Sequence, residues 1–219
     1  MSTKRPNSEA AVLEQYRVSL ENVEKQPTIA TIMSEFGYTP EVIAQGKGVY
    51  LETQQTFDAN RTEDDETSAA YKFFTDQKEK LADLYSNHRK KAKVIFRNEP
   101  VIMEQLGITG RIPHAHVKWM DTVKTFYAVA RNNEALQSRL ARLKVTPKEL
   151  NEGASLITET ETARAEYLRE VGESQDATKQ KDAAFAKLDD WMSEFYAVAK
   201  IALDDHPQLM ESLGKPIKS

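Results

Sequence analysis

The chain carries four histidines and no cysteine. Any acid–base or metal chemistry must therefore run through imidazoles and carboxylates rather than thiolates. His88 falls on a stripe with three–four spacing: Tyr71, Phe74, Leu81, Tyr85, His88, Ala92 and Ile95. An imidazole on an apolar helix face needs a hydrogen-bond partner. Next to it Arg89, Lys93 and Arg97 stand at i, i+4 and i+8, with Lys90 and Lys91 between them. One reading makes His88, Arg89, Lys90, Lys93 and Arg97 a cationic edge for an anionic ligand, a protein partner or the acidic surface of another subunit. The other makes His88 a satisfied core residue beside a solvated stripe. The same helix opens with Asp76, Glu79 and Asp83, and acid early with base late is what the helix dipole favours.

His114-Ala115-His116 offers a second chemistry. Two imidazoles at i, i+2 could ligate a metal from an extended loop, although no cysteine or neighbouring carboxylate completes a set; the plainer reading is a surface loop. Glu52 and Glu159 could do paired acid–base work if the fold joined them, or sit on solvated helix faces. No histidine has Glu three residues before it, so the Glu-x-x-His pairs of di-iron bundles are missing. The His-Glu-x-x-His zinc motif, phosphate loop, dinucleotide fingerprint and nucleophile elbow are missing too. No cofactor is expected.

Helices must position these residues. Ser8–Lys25 reads as the first, followed by a short one to Phe36 with Gly37 as its stop. Thr39-Pro40 and Thr146-Pro147 are N-caps with proline in the first turn, and Thr146 to Glu149 forms a capping box. Each opens a helix of about 22 residues. The acidic stretches around Glu63–Thr67 and Gly172–Asp176 read as turns before long helices near Ser68–Arg97 and Ala177–Asp204. Short apolar helices close each half, at Val101–Gly107 and Leu209–Gly214, and another is expected at Leu136–Lys144. The strings Phe126-Tyr127-Ala128-Val129-Ala130 and Phe195-Tyr196-Ala197-Val198-Ala199, with Trp119 and Trp191 upstream, have the spacing of buried faces. An aromatic binding box is the alternative.

One offset organises all of this. Thr39–Gly107 lies on Thr146–Gly214 without gaps, and 20 of 69 positions are identical, which makes a tandem repeat the first architectural expectation. Gly46 meets Gly153 in mid-helix. Such a glycine costs about 1 kcal/mol relative to Ala, so either a close helix contact requires it or it is an inherited residue.

The expected fold is therefore all-α: a tandem duplication of a helical unit of about 107 residues forming a pseudo-twofold helical bundle, with units 1–110 and 111–219. The linker from Gly107 to His116 would be the hinge between copies. The 30 basic and 34 acidic residues leave a net charge of −4, and the near balance in both halves argues against a dedicated nucleic-acid binder. No apolar run follows Met1–Pro6 as in a signal peptide, and none is long enough to span a bilayer. A cytoplasmic location is the default expectation. The expected role is a non-enzymatic interaction or structural protein with a protein partner or self-association. The alternative is a bundle that binds a metal or small anionic ligand through histidine and carboxylate groups, with enzymatic activity possible.

Overall fold

The computed structural model describes residues 8–215; the reading of Met1–Pro6 lies outside them. All described regular structure is helical, with no strand among the described residues. The order is α1 (Glu9–Lys25), α2 (Pro27–Glu35), α3 (Pro40–Ile95), α4 (Pro100–Gln105), α5 (His116–Arg131), α6 (Glu134–Ala141), α7 (Pro147–Ala202) and α8 (Leu209–Ser212). None of these helices is long and apolar enough to cross a membrane.

The starts follow the capping chemistry. The Ser8 hydroxyl accepts from the Ala11 N–H at 3.3 Å. The Thr146 N–H donates to Glu149 Oε2 at 2.8 Å and the Glu149 N–H donates to Thr146 Oγ1 at 3.4 Å, which is the reciprocal pairing of a capping box. Gly37, at φ +91°, ends the turn after α2 as expected, whereas the corresponding position after α6 is Lys144 at φ +58°.

The expected breaks at the acidic stretches do not occur: α3 and α7 each run unbroken for 56 residues. Residues 61–68 contain no Gly or Pro, and Glu is a good helix former. Gly172 alone does not stop α7, because one interior glycine costs only about 1 kcal/mol. Cross-helix hydrogen bonds add support. The Thr67 hydroxyl donates to the Glu170 carbonyl at 3.1 Å, and Asn60 Nδ2 donates to Thr178 Oγ1 at 3.2 Å.

Two compact units result, Met1–Asp64 with Glu173–Ser219, and Asp65–Gly172. They differ from the expected division at 110, because each long helix gives one part to each unit and the 107–116 segment lies wholly inside the second. The first unit closes over Leu20, Ile29, Met33, Phe185, Leu188 and Phe195. The second closes over Leu81, Tyr85, Phe96, Phe126, Tyr127 and Leu140. The two aromatic strings are thus core, the reading their spacing favoured. Tyr71, placed on the buried stripe by periodicity, is 54% exposed.

Glycine at 46 and 153 is explained by close approach. A Cβ on Gly46 would lie 2.3 Å from Trp191 Cη2, and one on Gly153 would lie 2.1 Å from Tyr127 Cε1. The close contact expected from sequence is present at both sites, and in each a ring rests on the helix backbone.

Candidate functional site

In the second unit, α3 presents His88 inward and Arg89 to the side. His88 is 1% exposed, and its Nδ1 lies 3.1 Å from the Tyr127 hydroxyl of α5. The same Tyr127 ring covers Gly153 of α7, so the imidazole anchors the ring that fills the glycine notch. Burial pushes His88 below its ordinary value. Glu149 and Glu152 of α7 oppose the shift, and Lys91 reinforces it.

This arrangement sets a pH dependence. The folded state holds His88 neutral, while the unfolded chain protonates it below about pH 6.5. The stability tied to the neutral ring is complete above that value and is lost as pH falls through the lowered folded-state value. We expect the urea midpoint of the wild type to fall between about pH 7.5 and pH 5.5, and the fall to be smaller in His88→Gln. Equal slopes in both proteins would remove His88 from this role.

Arg89 and Lys93 are turned onto the chain itself. Arg89 Nη2 donates to the carbonyls of Ile108 at 3.0 Å, Thr109 at 3.4 Å and Gly110 at 2.7 Å. Lys93 Nζ donates to the Gly110 carbonyl at 3.3 Å, and burial followed by the Arg89 charge lowers its pKa. Two of the five candidate edge residues therefore tie down the turn between α4 and α5. Lys90 and Arg97 are exposed and enter no ion pair among the described residues. The tether predicts protease behaviour. Trypsin should cut at exposed Arg111 before the helix interiors, and Arg89→Ala should speed that cut several-fold by freeing the carbonyls. An unchanged rate would show that the turn holds without Arg89.

The two histidines proposed for a metal part ways. His114 is exposed, while His116 begins α5 and is half-buried. Its ring meets Phe74 edge-on at 5.7 Å and lies 6.0 Å from Trp119. Burial, then Arg164 and Lys78, push it below its ordinary value. No set of three metal-ligating side chains among the described residues includes either histidine. Glu52 is exposed and accepts from Lys187 Nζ at 2.7 Å, and Glu159 is exposed.

Sequence reasoning missed the neutral polar side chains. Ser19, fully buried, donates to the Leu213 carbonyl at 2.7 Å and meets the Tyr196 hydroxyl at 2.6 Å. Asn22 Nδ2 donates to the Ser212 carbonyl at 2.7 Å. The signal was there: Ser19 interrupts an apolar stripe of Tyr16, Leu20 and Val23. Thr53 and Thr160, identical at the 107-residue offset, are both fully buried. Their hydroxyls reach across to the Ala184 carbonyl at 3.1 Å and the Gln77 carbonyl at 3.4 Å. His88, Arg89 and Lys93, like the neutral Ser19, Thr53 and Thr160, are engaged in holding turns and helix pairs.

Comparison with known proteins finds no matching family model, no matching curated protein and no matching solved structure.

Proposed function

We propose that this is a non-enzymatic helical interaction or structural protein, built by tandem duplication of a segment of about 107 residues. The observation that carries the functional reading is the use of Arg89. The Arg89 guanidinium of the candidate ligand edge is spent on three backbone carbonyls, and His88 beside it is sealed against Tyr127.

The duplication is supported by the helix starts. Glu9, Pro27 and Pro40 are followed, 107 residues on, by starts at His116, Glu134 and Pro147. Each compact unit then combines the opening helices of one copy with the closing helices of the other, and the pseudo-twofold bundle belongs to the same proposal. Exchange of halves makes the two copies interdependent, which suits a scaffold.

Elemental analysis of the purified protein, with thermal shift against divalent metals and phosphate, tests the functional reading. We expect no stoichiometric metal and no shift. A bound transition metal, or a saturable shift that His116→Ala or Arg89→Ala abolishes, would favour the ligand-binding bundle instead.

A further inference from the structure

The offset of 107 pairs exposed residues of opposite charge. Glu35 corresponds to Arg142, Glu41 to Lys148, and Asp204 to Arg97, and all six are exposed. None of them enters an ion pair among the described residues. The acidic three lie on the first unit and the basic three on the second.

Each set lies at helix termini of its own unit. In the first unit the α2–α3 turn meets the C-terminal part of α7: Tyr38 packs edge-on against Phe195 at 5.4 Å, and the Glu194 charge acts on the Tyr38 hydroxyl. Glu35 and Glu41 flank that turn, and Asp204 follows α7. In the second unit the α6–α7 turn meets the α3–α4 turn. Arg139 of α6 forms a two-point ion pair with Glu99 and covers the Phe96 ring at 4.5 Å. Arg142 and Lys148 flank the first of these turns, and Arg97 sits in the second.

Each end also exposes apolar side chains at matching positions. Phe36 is 48% exposed and Ile201 66% in the acidic end, while Leu143 is 37% and Val94 59% in the basic end. Apolar contacts with oppositely charged rims are what a specific protein interface uses.

We propose that the acidic end of the first unit docks on the basic end of the second unit of another copy of this chain. The proposal rests on the interaction reading above and names its partner. Charge complementarity selects a second copy, because both halves of the contact are written into one sequence at one offset. The contact is heterologous, so a pair of copies keeps one free acidic and one free basic end between them, and association closes into a ring or continues as an open chain.

Charge reversal tests it with three proteins. Arg97→Glu/Arg142→Glu/Lys148→Glu makes both ends acidic, and Glu35→Lys/Glu41→Lys/Asp204→Lys makes both basic. The third combines all six changes. Circular dichroism and thermal melting verify folding, which exposed positions should leave intact. By sedimentation velocity at low salt, each triple variant alone should self-associate at least about tenfold more weakly than wild type. An equimolar mixture of the two, and the six-fold variant alone, should recover association. Folded triple variants that associate like wild type, or a mixture that stays monomeric, would overturn the docking. That result would leave the non-enzymatic reading intact, since only bound metal or ligand speaks against that.

Discussion

Gly153→Ala should destabilise the protein by about 2–3 kcal/mol, in the opposite sense to an ordinary helix substitution. In an open helix interior, Gly→Ala gains about 1 kcal/mol. Gly172, inside α7 with nothing within 4 Å of a Cβ, supplies that control, and Gly172→Ala should stabilise. At position 153 the new methyl would lie 2.1 Å from the Tyr127 ring. Tyr127 is 1% exposed and its hydroxyl is held by His88, so the ring cannot swing away without breaking a buried hydrogen bond. At position 46 the obstacle is Trp191, which is only half-buried. Its indole can turn toward solvent, so Gly46→Ala should cost less, about 1 kcal/mol net. Urea melts of the three variants check the order. Equal stability of Gly153→Ala and Gly172→Ala would mean that the ring does not rest on the backbone.

Ser19→Ala should cost about 2 kcal/mol, a large effect for the loss of one oxygen. The hydroxyl is the partner of the Leu213 carbonyl and of the Tyr196 hydroxyl, in a setting with no solvent exposure. Removing it takes the donor from the Leu213 carbonyl and leaves the Tyr196 hydroxyl with Gln15 alone, and a stranded buried group costs more than a formed bond contributes. Ser193→Ala, an exposed serine on α7, should change stability by less than about 0.5 kcal/mol. A Ser19→Ala protein that melts with wild type would show that Tyr196 and the α8 end find other partners.

Much of the helical order was legible in the sequence because it depends on local chemistry. Thr39-Pro40, the Thr146–Glu149 box and Gly37 act within one turn of helix, and each does what its residue type dictates. The continuity of α3 was not legible. Asp and Glu serve equally as helix starters and as helix interior, and only tertiary contacts such as Thr67 to the Glu170 carbonyl separate the two. The division into units was beyond local reading for the same reason, since an offset identifies matching residues but not which helix segments pack together. The candidate edge shows a different difficulty. Spacing placed Arg89, Lys93 and Arg97 on one stripe, yet a turn lies over the first two and leaves the third exposed. Periodicity reports a face and says nothing of which loop covers it.

Sedimentation velocity of the wild-type chain over a range of concentrations, at about 0.02 M and about 0.5 M salt, tests the account most directly, because screening shortens the reach of exposed charges. At low salt the weight-average sedimentation coefficient should rise with concentration, and at high salt the rise should shrink or vanish. A coefficient that stays at the monomer value at both salts, or a rise that salt leaves unchanged, would contradict an interface built on opposite charge.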